Sequence, residues 1–116
     1  MIHVADAELK IIMDILKARA PEGEVWAFGS RRNGTHRKHS DLDLALVGRG
    51  RQPLAVIGNL KEAFIDSTLP YRVDVLDYHA VSSSFREIID ASREVIFRSE
   101  GGSSRDDALT AEAGNR

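Results

Sequence analysis

The stretch GSRRNGTHRKHSDLDLAL, residues 29–46, decides the fold, and its last part is the most informative. Asp41 and Asp43 stand two apart in a run that continues as Leu44, Ala45, Leu46 and Val47. Side chains along a strand leave alternate faces. A strand over residues 42–47 therefore sends Leu42 and Leu44 into a core and keeps both aspartates on the other face. Two carboxylates so close repel each other, and one resists ionisation unless a cation lies between them. Hard oxygen ligands at a site open to water suit Mg2+, with Mn2+ as the alternative. The competing expectation for the pair alone is an ordinary solvated strand start.

Upstream of the aspartates, residues 24–28 are short, apolar and aromatic and read as a buried strand. Gly29-Ser30 follows as a tight turn. Glycine lets backbone approach a ligand closely, and exposed N–H groups at a helix start attract anions. The Ser30 hydroxyl adds a donor. These are the properties that hold the β- and γ-phosphates of a nucleoside triphosphate. Arg31 adjoins the turn, and arginine suits bidentate phosphate contacts. Gly29, Ser30, Arg31 and Ser40 form the expected nucleotide-binding set. The other basic residues of the loop, Arg32, His36, Arg37, Lys38 and His39, are expected to be mostly solvated. His36 and His39 are not spaced as a helical zinc pair, and the chain has no cysteine, so zinc is discounted.

Farther out, Leu9, Ile12, Met13 and Leu16 recur at helical spacing and predict a helix over residues 6–19, capped by Asp6 and stopped by Pro21 and Gly23. Pro53 opens another, with Leu54, Ile57, Leu60, Phe64 and Ile65 on its inner side. Gly58 weakens that helix by about 1 kcal/mol relative to alanine, and Pro70 breaks it. Residues 72–77 read as a strand. Ser84 to Glu87 has the form of a capping box and predicts a last helix to residue 91, before a short edge strand over residues 94–98. The order of elements implies an α+β fold, a mixed β-sheet flanked by helices. Residues 1–98 form the one expected domain, and residues 99–116, rich in Gly, Ser, Ala and charge, are expected to be a disordered tail.

Asp74 lies between Val73 and Val75. A carboxylate among β-branched apolar residues is costly to bury unless paired or metal-bound. If its strand lies beside residues 42–47, Asp74 completes a three-carboxylate cluster able to hold two metal ions, and it can accept a proton from an attacking hydroxyl. Otherwise Asp74 is expected to pair with Arg72 or another base. Asp77 falls on the opposite face.

The chain has 116 residues, 42% hydrophobic, with a formal net charge of −2. That balance argues against extensive nucleic-acid binding or attachment to an anionic membrane. No run approaches the roughly 18 apolar residues of a membrane span, and the N-terminus lacks the apolar core of a signal peptide. A cytoplasmic protein is expected.

Gly29-Ser30, ten residues, Asp41-Leu42-Asp43-Leu44 and then a strand bearing Asp74 together resemble the polymerase-beta-type nucleotidyltransferase superfamily. The pattern is most similar to its minimal nucleotidyltransferase (MNT) branch, which pairs with HEPN-domain proteins in toxin–antitoxin modules. The resemblance covers residues 5–98. It implies that Gly29 and Ser30 contact the triphosphate, that Asp41 and Asp43 bind metal, and that Asp74 completes the metal site and assists deprotonation of the acceptor. Many minimal members read G-S-x-A-R-G, and Arg32 and Asn33 depart from that pattern. The resemblance further implies transfer of AMP from ATP to a hydroxyl, a tyrosine, of a HEPN toxin. Two other readings compete: an antitoxin that masks its toxin without catalysis, and a small-molecule nucleotidyltransferase with its acceptor site across a homodimer.

Overall fold

The computed structural model describes residues 2–35, 37 and 40–99. The chain runs α1 (Asp6–Arg19), β1 (Gly23–Phe28), α2 (Ser30–Asn33), β2 (Leu42–Val47), α3 (Leu54–Ile65), β3 (Val73–Asp77), α4 (Ser83–Ser92) and β4 (Glu94–Ser99). The four strands form one sheet in the order β3-β2-β1-β4. β1 is antiparallel to both of its neighbours, and β2 and β3 are parallel. Parallel neighbours cannot be joined by a hairpin, so α3 makes the return crossing between β2 and β3.

Strand alternation sorts the side chains into two layers. Leu42, Leu44 and Leu46 of β2, with Val25, Ala27, Val73 and Val75, face α1 and α3 and meet Ile12, Leu16, Ile57, Leu60 and Phe64. Complete burial of a leucine or isoleucine is worth about 1.5–3 kcal/mol, and Ile12, Leu16, Leu42, Leu44 and Leu60 are all fully buried. On the other face, Phe28 and Ala45 pack under Ile89 of α4, bordered by Trp26, Leu76 and Phe85. The aspartates of β2 and β3 share the parity of this second face. It is the less covered of the two, so they sit at its open end.

The mixed sheet with flanking helices agrees with the sequence reading, and several local details differ. α1 begins from Ala5 rather than a capping Asp6, and Glu8 accepts the Ala5 N–H at 3.0 Å. α4 is capped two residues earlier than Ser84, by Ser82, whose Oγ accepts the Phe85 N–H at 3.2 Å. Leu54 and Ile65, expected on the inner side of α3, are 89% and 74% exposed. Ile57, Leu60 and Phe64 already fill the buried face, and a 3.6-residue period turns positions 54 and 65 toward its flank. Asp77 is buried at the end of β3, where it accepts the N–H of Gln52 at 2.7 Å and of His79 at 3.0 Å. The expected tail lies outside the described residues except for Ser99, which ends β4.

Leu44→Ala is expected to lower unfolding free energy by about 2–5 kcal/mol in urea denaturation, whereas Ile65→Ala should change it by less than about 0.5 kcal/mol. Equal losses would contradict the two burial assignments.

Candidate active site

The site begins where β1 gives way to α2. Gly29 has φ of 81° and ψ of −160°, a conformation open to glycine and strained for other residues. A Cβ built on Gly29 would collide with the Asp43 carboxylate Oδ2. The dihedral favours glycine, and a side chain there would push the Asp43 carboxylate aside. Its carbonyl accepts the N–H groups of Arg32 and Asn33 at 3.1 and 3.0 Å. Ser30 leads this short helical turn, where the first N–H groups of a helix have no partner within it.

Register does the rest. Phe28 stands opposite Asp43 across the antiparallel β1–β2 pair, and Asp43 stands opposite Asp74 across the parallel β2–β3 pair. The side chains of Asp43 and Asp74 thus leave the same face from adjacent strands. Asp43 is half-buried. Its pKa is pushed up to about 6, first by desolvation, then by the charge of Asp74 and then by that of Asp41. Neither Asp43 nor Asp74 accepts a hydrogen bond among the described residues. Asp41 is turned outward, and Arg72 Nη2 donates to its Oδ2 at 3.2 Å. Arg72, the alternative partner that the sequence offers Asp74, serves Asp41 instead, because it precedes β3 while Asp41 precedes β2, side by side. The Leu42 N–H donates to the Arg72 carbonyl at the same place, at 2.9 Å.

Among the described residues no three His, Asp or Glu side chains are already gathered around one point. The donor set nevertheless fits a hard divalent cation. It consists of carboxylates, one of them, Asp43, raised in pKa by burial and by the like charges beside it, which a cation would offset.

Two of the expected nucleotide contacts have other work. Arg31 is only 4% exposed. Its Nε donates to the Ser40 carbonyl at 2.9 Å, its Nη1 donates to the His3 carbonyl at 3.2 Å, and its guanidinium lies 3.8 Å from the centre of the Tyr71 ring. Ser40 Oγ accepts the Arg37 N–H at 2.8 Å, and the Ser40 N–H donates to the Arg37 carbonyl at 3.0 Å. Both residues shape the turn that delivers the chain into Asp41. The Tyr71 hydroxyl in turn donates to Glu8 at 3.1 Å. Sequence reasoning missed this brace because its parts come from residues 3, 8, 31, 40 and 71, and no local pattern joins them. His36, Lys38 and His39 lie outside the described residues.

Residues 9–103 match the family described as the nucleotidyltransferase domain. The chain is 46% identical over 88 residues, 76% of its own length and 77% of the relative's, to a Haemophilus influenzae protein named "Probable protein adenylyltransferase MntA". It superposes with a TM-score of 0.65 and 20% identity on a chain of a toxin-antitoxin crystal structure with AMP-PNP, covering 79% of this chain and 74% of that one. A chain from the structure of tri-AMPylated Shewanella oneidensis HEPN toxin in complex with MNT antitoxin gives a TM-score of 0.59 at 17% identity, covering 80% of this chain and 71% of that one. At these identities the two structures establish the fold.

Asp43→Asn should stabilise the chain at neutral pH. A carboxyl whose folded pKa is raised contributes no penalty below 3.8, a growing one as pH rises, and the full penalty above about 6. Discounted for its exposure, the gain is on the order of 1 kcal/mol. Thermal melts should show it at about pH 7.5 and lose it near about pH 4; equal melting temperatures at both would contradict the crowding of these carboxylates. Arg31→Met should cost roughly 2–4 kcal/mol in urea denaturation, since two carbonyls lose a charged donor and the ring loses its cation. A cost below about 0.5 kcal/mol would remove the brace.

Proposed function

The chain belongs to the nucleotidyltransferase domain family, and from that premise we propose that it is a protein adenylyltransferase, transferring AMP from ATP to a hydroxyl of a HEPN-domain toxin and serving as its antitoxin. One observation carries the reading. Asp43 and Asp74 face each other on parallel strands beside a glycine turn in which a side chain at Gly29 would be strained and would displace the Asp43 carboxylate. A fold gains no stability from a half-buried carboxylate with like charges around it and no hydrogen-bond donor. The arrangement makes sense as a site kept for a cation and a triphosphate.

The roles follow from position. Asp41, Asp43 and Asp74 would hold two Mg2+ ions, which supply neutralising charge for the triphosphate and lower the pKa of the attacking hydroxyl. Gly29 lets the phosphates lie close to backbone, and Ser30 offers its hydroxyl to them. Asp74, exposed on the edge strand, accepts the proton of the acceptor hydroxyl. A bond forms from the acceptor oxygen to the α-phosphorus, the bond from that phosphorus to the bridging oxygen breaks, and pyrophosphate leaves. Arg31 and Ser40 act here as braces of the Asp41 turn.

Support for the protein acceptor comes from the 46% identical relative and its name. Structures of the same fold contain a toxin-antitoxin assembly with AMP-PNP and an AMPylated HEPN toxin beside an MNT antitoxin. No helix among the described residues is long and apolar enough to cross a membrane, and a place in the cytoplasm, where ATP is plentiful, suits the proposed substrate.

The test is transfer of label from α-labelled ATP to a co-expressed HEPN-domain protein in the presence of Mg2+. The parent chain should label it and silence its toxicity. Asp41→Asn and Asp43→Asn should each lose several kcal/mol of transition-state stabilisation, about 100-fold in rate or more, and EDTA should abolish labelling. Undiminished labelling by both variants would end the metal-site assignment, and full silencing without labelling would replace catalysis by masking.

A further inference from the structure

α3 carries an outer stripe that the other described elements leave uncovered. Residues 54, 58, 61 and 65 recur at intervals of four, three and four and lie on one flank of the helix. Leu54 and Ile65, at the two ends of the stripe, are 89% and 74% exposed. Between them is Gly58, a poor helix former in a helix interior. A Cβ at Gly58 would meet nothing within 4 Å among the described residues, whose packing gives no reason for glycine there. Its absent side chain lowers the helix surface midway between two apolar side chains, where another backbone can come close.

This flank borders the free edge of the sheet. β3 has β2 on one side only, and an edge strand presents unpaired backbone groups to a partner. Two hollows line the junction of α3 and β3. One, of about 360 Å³, includes Arg51, Leu54 and Lys61 in its wall, and the other, of about 190 Å³, includes Lys61, Ile65, Arg72 and Asp74. The groove therefore ends at the carboxylate assigned to the acceptor hydroxyl. Its wall carries two exposed cations, Arg51 and Lys61, on a chain whose net charge is −2. Arg51 and Lys61 have no ion-pair partner among the described residues. The acid at the far end, Asp77, is committed to the N–H groups of Gln52 and His79.

We propose that this groove is the docking surface for the protein that receives the nucleotide, and that it takes a segment carrying apolar side chains for Leu54 and Ile65 and carboxylates for Arg51 and Lys61. The identity of the occupant rests on the adenylyltransferase reading; the existence of the surface rests on the exposed stripe and its charge. Eleven residues of helix span about 16 Å, enough to hold a few turns of helix or a short extended run in register with Asp74. A second copy of this chain is a poor occupant, since a two-fold contact through this patch would set the same cations against each other.

The experiment places a photo-crosslinking amino acid at Leu54, at Ile65 or, as a control, at Ile88, which is 58% exposed on α4. It uses an Asp41→Asn/Asp43→Asn background with the co-expressed HEPN-domain protein, so that capture does not depend on transfer. Crosslinks to that protein are expected from positions 54 and 65 and not from 88. In the otherwise unaltered chain, Ile65→Asp and Lys61→Glu should raise the KM for the HEPN-domain protein by about tenfold or more, with melting temperature and magnesium-dependent ATP binding retained. Crosslinking from position 88 alone, crosslinking of the chain to itself, or an unchanged KM in both variants would overturn the groove. Crosslinks at 54 and 65 without any labelling by the parent would leave the groove standing and sink the transfer reading instead.

Discussion

The repulsion between Asp43 and Asp74 is the constraint around which the site is arranged. Parallel pairing of β2 with β3 sets the two carboxylates opposite each other, and burial against Gly29 denies one of them full solvation. The leucines on the reverse face of β2 hold that register. Slipping one residue would carry Leu42 and Leu44 out to the site and the aspartates into the core. Core packing thus stabilises an arrangement that is unfavourable in itself, as is common where strain or charge is kept for chemistry.

Arg31 shows how a small domain holds such a site without a large core. Its guanidinium ties the N-terminal segment, the turn before Asp41 and the ring of Tyr71. Because Tyr71 also reaches Glu8 of α1, the entry to β2 is linked to the helical layer behind the sheet. A basic residue next to a phosphate turn invites assignment as a phosphate ligand. Here the planar fork of arginine does a different task, satisfying backbone carbonyls that the irregular turn leaves unpaired.

The edges of the sheet divide the labour. Both β3 and β4 are edge strands; the β3 edge lies beside the exposed flank of α3 and leads to Asp74.

Much of this was legible in the sequence. Leu42-Asp43-Leu44 alternates, so a strand with one wet and one dry face follows from pleat geometry alone. The stripe of α1, the crossing helix and the glycine turn were equally local. The helix caps were misread by one or two residues: α1 starts from Ala5 with no side-chain cap, and Ser82, Ser83 and Ser84 all compete for the start of α4. Leu54 and Ile65 were misplaced because a hydrophobic residue on a helix does not state whether the face it lies on is covered. Tertiary structure alone decided that β3 lies parallel beside β2 with Asp74 opposite Asp43, that Arg72 turns to Asp41, and that Arg31 is buried. These depend on contacts between residues 28 to 40 positions apart or more, and side-chain pattern along one segment carries no information about which distant segment will lie beside it.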